Sequence, residues 1–297
     1  MNNLLKKFKG TGVAVATPFK KDMSIDFDSI NNIVDFLIIN GIDYILVQGT
    51  TGETSTLNEE EKVISRKAFI KANKNRVPLI VGIGSNDTKS LTEYIAKSDL
   101  DGFCAILSVT PFYNRPTQKG LYNHFSAISK VSPLPIILYN VPARTGCNLE
   151  PLTSIKLAKN HKNIIGIKEA SGDTSQISSL ISNKPNDFLI ISGDDESAYK
   201  SVLKGADGVI SVAAGCIPKQ FSHVINLALK KDKVNSEKYF DEINELLILL
   251  FKEGNPTGLK AALTINKLCE NQLRLPLIPA SNKRYSDIEL FFSDNIK

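Results

Sequence analysis

The chain has 297 residues, of which 42% are hydrophobic and 23% charged, and its formal net charge is +5. This balance is that of a globular protein able to bury a large core, and the length suits an α/β barrel with an appendage. The charge comes from lysines spread along the chain. Because no basic run is interleaved with aromatic residues, we expect no nucleic-acid partner.

The amino-terminal residues contain no apolar core long enough for a signal peptide, and no later stretch is long and apolar enough to span a membrane. We therefore expect a cytoplasmic protein with no membrane partner. The four cysteines show no CxxC spacing, and the three histidines show neither an i, i+4 pair nor an HExxH pattern. The sequence thus predicts buried, unreactive cysteines and no catalytic metal.

Eight short apolar runs alternate with helical patterns. They cover residues 12–18, 44–49, 78–84, 102–109, 135–141, 164–170, 188–193 and 208–212. The runs are continuous rather than alternating, which is typical of strands buried on both faces of a parallel sheet. Eight such strands separated by helices predict a (β/α)8 TIM barrel. A doubly wound open sheet is the alternative, but the GxGxxG turn that it usually carries after its first strand is missing.

Helix signals accompany these runs. Asn58 with Glu61 predicts a capping box, and Asp87 predicts the cap of the next helix. Beyond the eighth run we expect a barrel of residues 1–230 to give way to a C-terminal helical domain of residues 231–297. In that tail Asn255 is the predicted cap of a helix over 257–268, with Pro256 in its first turn, and a short helix ends the chain. The run 246–251 is apolar on all sides, which predicts burial at an interface.

Lys168 lies near the end of the sixth run. A charged ammonium away from water is costly unless it is paired, so a buried lysine tends to lose its proton. A neutral amine in a dry pocket is a nucleophile toward carbonyl carbons and forms Schiff bases. The alternative is a lysine at the strand end whose long stem reaches solvent.

Further polar residues follow the predicted strands at the end of the barrel where active sites of this fold lie. Thr50 and Thr51 stand between glycines after the second run, a pattern suited to cradling a small carboxylate or to an ordinary turn. Tyr113 lies in the loop after the fourth run. Tyr139, in the fifth run, can relay a proton through neighbouring hydroxyls, and Arg144 offers a fork for a carboxylate. A core tyrosine and a surface salt-bridge arginine are the alternatives, but the convergence of these residues with Lys168 favours a site.

The segments GTTGE (49–53), TPFYNRP (110–116), YNVPARTG (139–146) and GIKEASG (166–172) resemble, in order and spacing, the dihydrodipicolinate synthase family. This family belongs to the pyruvate-dependent class I aldolase superfamily, which includes N-acetylneuraminate lyase. The resemblance covers essentially the whole chain. It implies a lyase that condenses pyruvate with L-aspartate 4-semialdehyde to give 4-hydroxy-tetrahydrodipicolinate in lysine and diaminopimelate biosynthesis. It also implies no cofactor and a homotetramer built from two tight dimers.

The resemblance assigns the catalytic roles. Lys168 is expected to form the Schiff base with pyruvate. Tyr139 is expected to relay protons in a hydroxyl chain with Thr50 and Tyr113. In the family this second tyrosine comes from a neighbouring subunit, so Tyr113 is expected to need a dimer.

The resemblance also assigns the binding roles. Thr51 is expected to bind the pyruvate carboxylate, and Arg144 the carboxylate of the semialdehyde. The backbone carbonyl of Ile210 is expected to line the pyruvate pocket. Two other functions stay open: an aldolase acting on a sugar-acid aldehyde, which would need no second carboxylate clamp, and a non-catalytic barrel that binds a keto acid.

One departure from the family pattern concerns inhibition by lysine. Family members that lysine inhibits carry histidines in the helix after GTTGE, a glutamate in the helix after the third strand, and a tyrosine before the catalytic one. Here Glu59, Lys62, Ser90 and Phe112 occupy those positions, while Asn86 still matches. Lys62 would repel an ammonium-bearing ligand and Ser90 could not pair with it, so we expect weak or absent inhibition by lysine.

Overall fold

The computed structural model describes residues 2–296 and confirms the predicted barrel. Eight parallel strands pair in chain order, and the last pairs with the first to close the barrel. The β1 strand begins at Gly10, before its predicted run, and the other strands lie within theirs. The strands are β1 Gly10–Ala14, β2 Tyr44–Val47, β3 Leu79–Gly82, β4 Ala105–Val109, β5 Ile136–Asn140, β6 Ile164–Glu169, β7 Leu189–Ser192 and β8 Gly208–Ser211.

Helices alternate with the strands and form the tail. The barrel portion contains α1 Asn2–Lys6, α2 Phe27–Ile39, α3 Glu59–Asn73, α4 Thr88–Lys97, α5 Gln118–Val131, α6 Pro142–Thr145, α7 Pro151–Asn160, α8 Thr174–Asn183, α9 Ala198–Lys204 and α10 Pro218–Leu229. The tail contains α11 Lys233–Phe251, α12 Thr257–Ile265 and α13 Asn282–Asn295. Within residues 2–296, none of these helices is long and apolar enough to cross a membrane.

Apolar side chains close the amino-terminal end of the barrel. The Tyr44 ring lies across Gly12, where an added Cβ would approach the ring to 2.1 Å, and its hydroxyl donates to the Val209 carbonyl at 3.0 Å. Phe8 packs edge-on against Tyr44, with ring centroids 5.7 Å apart. Because this end is filled, a ligand can enter only from the carboxyl-terminal rim, where the fold class places its active sites.

The structure confirms two predicted helix caps and shows one to be wrong. Asn58 and Glu61 form the reciprocal capping box, with nitrogen–oxygen distances of 2.8 and 3.0 Å, and Asp87 caps α4. In the tail, Pro256 rather than Asn255 is the capping residue of α12, and the helix begins at Thr257. Asn255 instead donates from its Nδ2 to Thr51 of the barrel, and its buried Oδ1 accepts no hydrogen bond from the first turn of α12.

The tail also differs from expectation in two details. Of the apolar run 246–251, Leu246, Leu247 and Leu250 are buried, whereas Ile248 and Phe251 stay exposed, so burial of this second face at an interface stays a prediction. The terminal helix α13 is not short, since it has 14 residues. All four cysteines are free; Cys147 and Cys216 are buried as predicted, and the other two are half-buried.

Candidate active site at the carboxyl-terminal rim

A cavity of about 430 Å³ opens at the carboxyl-terminal rim of the barrel. Three of the predicted site residues line it, namely Thr50, Tyr139 and Arg144. The remaining lining residues come largely from the ends of β2, β3, β4 and β5 and the loops that follow them. Lys62 of α3 also lines the cavity. The cavity therefore lies where parallel barrels carry their chemistry, and the sequence brings the expected residues to it.

Lys168 is buried on β6, with only 5% of its surface exposed. It lies opposite Tyr139 of β5 in the strand register, and its Nζ is 4.5 Å from the centre of the Tyr139 ring. Gly193, directly after β7, permits this placement, because a Cβ there would come within 2.8 Å of the lysine Cε. The alternative of a lysine reaching solvent is thus excluded, and the amine sits in the dry surroundings that nucleophilic lysines use.

The neighbouring Glu169 does not neutralise Lys168. Its buried carboxylate accepts hydrogen bonds from the Asn140 Nδ2 at 3.0 Å and the Gln176 Nε2 at 2.9 Å, and from the backbone N–H of Ser171 at 2.8 Å. Adjacent residues of a strand point to opposite faces, so Glu169 points away from the side of β6 that carries Lys168. The carboxylate is satisfied there and contributes to holding β5, β6 and α8 together.

Tyr139 and Thr50 share the cavity, but their hydroxyls are not directly hydrogen-bonded in the structure of residues 2–296. Tyr139 is buried and Thr50 is exposed. A relay between them would need a bridging water or substrate atom, so the predicted hydroxyl chain stays a prediction. The Lys168 amine lies over the aromatic ring of Tyr139, so the Tyr139 hydroxyl and the amine are on the same side of the barrel.

Tyr113 lies away from this cluster, with 90% of its surface exposed. Its backbone is nevertheless fixed. The residue has a positive φ of 75°, its N–H donates to the Thr145 carbonyl at 3.3 Å, and the next side chain, Asn114, donates to the Asn86 carbonyl at 3.0 Å. An aromatic side chain held out into solvent by an ordered loop suits contact with another chain. Its catalytic role stays a prediction.

Of the predicted binding residues, Arg144 lines the cavity, whereas Thr51 and Ile210 are buried behind its lining. Thr51 is 1% exposed and accepts a hydrogen bond from Asn255, whereas Arg144 is an exposed residue of α6 whose side chain borders the cavity. Ile210 is buried on β8, paired with Gly12 of β1, and belongs to the same apolar cluster as Tyr139. These positions are compatible with the assigned roles, which stay predictions.

The sequence reasoning missed several buried polar residues beside the site. Asp195 follows β7 and accepts the backbone N–H groups of Val212 and Ala213, at 3.0 and 2.9 Å, so it fixes the loop after β8. Burial raises the pKa of Asp195 to about 6. Glu53 and Lys260 form a buried ion pair between the GTTGE segment and α12. A lysine within the apolar segment TGLKAAL was the signal that could have revealed this pair.

A closed parallel barrel with a cavity at the carboxyl-terminal rim defines the class of (β/α)8 barrel enzymes. Comparison with known proteins identifies the family within this class. The profile of the dihydrodipicolinate synthetase family matches residues 7–293. The 4-hydroxy-tetrahydrodipicolinate synthase of Flavobacterium psychrophilum is 43% identical over 287 residues, which cover 97% of this chain and 98% of the relative. This chain therefore belongs to the dihydrodipicolinate synthetase family.

Solved structures agree with this assignment. The chloride-inhibited dihydrodipicolinate synthase from Acinetobacter baumannii, complexed with pyruvate, superposes with a TM-score of 0.93 at 40% identity, covering 97% of this chain and 98% of that chain. The synthase from Cyanidioschyzon merolae with lysine bound gives a TM-score of 0.92 at 33% identity, again over 97% and 98% of the two chains. The resemblance found in the motifs thus extends through the whole fold, tail included.

Proposed function

We propose that this protein condenses pyruvate with L-aspartate 4-semialdehyde, through a Schiff base on Lys168, to give 4-hydroxy-tetrahydrodipicolinate for lysine and diaminopimelate biosynthesis. The observation that carries the proposal is the buried Lys168 amine against the Tyr139 ring at the rim of a barrel of this family. A dry amine beside a phenol is equipped both to attack a ketone and to exchange protons with the products of that attack.

The chemistry follows from these groups. The Lys168 amine adds to the pyruvate ketone, and loss of water gives the imine. Removal of a methyl proton converts the imine to an enamine, which attacks the aldehyde carbon and forms the new carbon–carbon bond. The amino group of the semialdehyde portion then displaces the lysine and closes the ring. Tyr139 moves the protons, with Thr50 and Tyr113 completing the relay when a second subunit supplies Tyr113.

Two carboxylates, one from each substrate, must be bound during this reaction. Thr51 and neighbouring backbone amides bind the pyruvate carboxylate, and the Ile210 carbonyl borders the pyruvate. Arg144 binds the carboxylate of the semialdehyde in a bidentate manner, which its exposed position at the cavity edge supports. None of these steps calls on a metal or organic cofactor.

We further propose a cytoplasmic homotetramer made of two tight dimers. The exposed Tyr113 supports a dimer in which each subunit completes the site of the other, and the exposed Ile248 and Phe251 support a further apolar contact in the tail. Residues 1–230 would form the barrel domain and residues 231–297 the helical domain. The terminal residues Met1 and Lys297 lie outside the described part of the chain.

Arg144→Ala tests the choice of second substrate. Removing one charged, bidentate contact should lower kcat/KM for the semialdehyde roughly 10- to 100-fold, whereas trapping of the pyruvate imine should change little. Steady-state kinetics and imine trapping on the same preparation measure the two effects. Arg76→Ala is the control, since Arg76 pairs with Asp35 on the outside of the barrel. Equal loss of both activities would show that Arg144 does not select the aldehyde, and preferred use of a polyol aldehyde would support the sugar-acid aldolase.

Lysine should inhibit this protein weakly or not at all. Beside the active-site cavity lies a second cavity of about 280 Å³, lined in part by Glu59, Lys62 and Ser90. Glu59 is already paired with Lys62, at 2.6 Å, and the Ser90 hydroxyl donates to Asp87, so no free carboxylate among these residues remains for an ammonium group. An inhibition titration checks this expectation, and strong block at physiological lysine concentration would contradict it.

A further inference from the structure

Residues of the C-terminal tail bind the GTTGE segment through its Glu53. Glu53 adopts a left-handed conformation with φ of 50°, which is uncommon for a residue with a side chain. Its fully buried carboxylate forms an ion pair with Lys260 of α12 and accepts the backbone N–H of Arg274 at 3.0 Å. Lys260 also donates to the Gln272 carbonyl at 2.7 Å. The GTTGE segment is therefore anchored by residues far later in the chain, 221 positions away in the case of Arg274.

The strength of this anchor follows from its burial. Burial lowers the pKa of Lys260, while the attraction of Glu53 opposes that change. Removing one member of a buried pair leaves an uncompensated charge, so the pair fixes the relative position of the segment and α12 firmly. The backbone of Thr50 and Thr51, which Gly52 separates from Glu53, is thereby set by the tail as well as by β2.

A second contact reaches the Thr51 hydroxyl, to which the proposed function gives the pyruvate carboxylate. The Asn255 Nδ2 donates to the Thr51 Oγ1 at 3.0 Å, although the two residues are 204 positions apart in sequence. Both side chains are buried, with 9% and 1% of their surface exposed. A threonine hydroxyl has one proton and two acceptor lone pairs. Because its oxygen accepts from Asn255, the Thr51 proton does not point toward Asn255 and can be donated to another acceptor.

We propose that Asn255 is a positioning residue of the pyruvate site, which acts by orienting the Thr51 hydroxyl as a donor to the pyruvate carboxylate. The tail from Asn255 to Arg274 is thus part of the carboxylate-binding site and not only a covering for the barrel. The inference rests on the proposed reaction with pyruvate. It assigns a role in substrate recognition to a contact that local sequence gives no reason to expect.

Asn255→Leu tests this role by removing the donor while keeping the side-chain size. Imine formation is trapped with cyanoborohydride, using pyruvate and, separately, acetone, which has a methyl group in place of the carboxylate. The variant should trap pyruvate roughly tenfold more slowly at subsaturating concentration, while acetone trapping stays within about twofold of the wild type. A purely structural role would instead slow both reactions alike.

Matched variants sharpen the result. Asn266→Leu is the control, because Asn266 caps the far, carboxyl-terminal end of α12 and donates to the Cys216 carbonyl at 3.0 Å, not to Thr51. Thr51→Val combined with Asn255→Leu should lose no more than Thr51→Val alone. Because the leucine could disturb packing, Asn255→Asp is a second, isosteric variant. Its carboxylate would accept the Thr51 proton and repel the substrate, so pyruvate trapping should fall further while acetone trapping persists.

The outcomes separate the two levels of the proposal. Equal losses for pyruvate and acetone, or no loss for pyruvate, in both Asn255 variants would overturn the role of Asn255 and leave the proposed function standing. Failure of the wild-type protein to trap pyruvate would overturn the proposed function and this inference together.

Discussion

Lys168→Arg is expected to reduce turnover of pyruvate and L-aspartate 4-semialdehyde by roughly 10⁴-fold or more. Arginine keeps the positive charge and a long stem, so the packing against Tyr139 is largely retained. Its guanidinium stays protonated and does not add to a ketone. The loss should therefore appear in kcat, measured in a continuous turnover assay, with the thermal midpoint showing that the variant remains folded.

Lys62→Arg is the matched control for this experiment. Lys62 also lines the active-site cavity, but its amine is paired with Glu59 and an arginine can keep that pair. We expect its activity to stay within severalfold of the wild type, on the order of the effect of an exposed ion pair. If Lys168→Arg retained activity comparable to Lys62→Arg, Lys168 would not be the imine-forming residue.

Tyr139→Phe is expected to lower kcat by roughly 10²- to 10⁴-fold, the range typical of losing a general acid–base group. Phenylalanine keeps the ring over the Lys168 amine and removes only the hydroxyl. The pyruvate imine should therefore still form, more slowly, while the proton transfers that follow become limiting. Single-turnover kinetics with pre-formed imine separate these steps.

The control for the tyrosine experiment is Tyr122→Phe. The Tyr122 hydroxyl accepts a hydrogen bond from Asn160 at 2.8 Å on the outside of the barrel, so its removal should leave kcat nearly unchanged. A fall of less than about fivefold for Tyr139→Phe would mean that another group, or water, carries the proton.

The sequence was most informative where local patterns decide the structure. Continuous apolar runs predicted all eight strands, because strands buried on both faces need apolar side chains throughout. The rule that barrel sites lie at strand ends then brought Thr50, Tyr139 and Arg144 to one cavity and Lys168 beside it. The capping box of α3 and the cap of α4 were likewise predictable, since they depend on residues within one helical turn.

The sequence was least informative where segments far apart in the chain meet. Asn255 resembles a helix cap by its local pattern, and only the folded tail shows that it donates to Thr51. Glu53 reads as part of a turn motif, yet its partner Lys260 lies in another part of the fold. Such contacts are set by tertiary packing, and no periodicity records them.

The most direct test of the account is reduction of the wild-type protein with borohydride in the presence of pyruvate, followed by peptide mass spectrometry, with Lys168→Arg as the control. We predict one pyruvate-derived mass increment, on the peptide that bears Lys168, and none in the variant. Absence of the increment, or its appearance on Lys62 instead, would contradict the central claim that Lys168 forms the pyruvate imine.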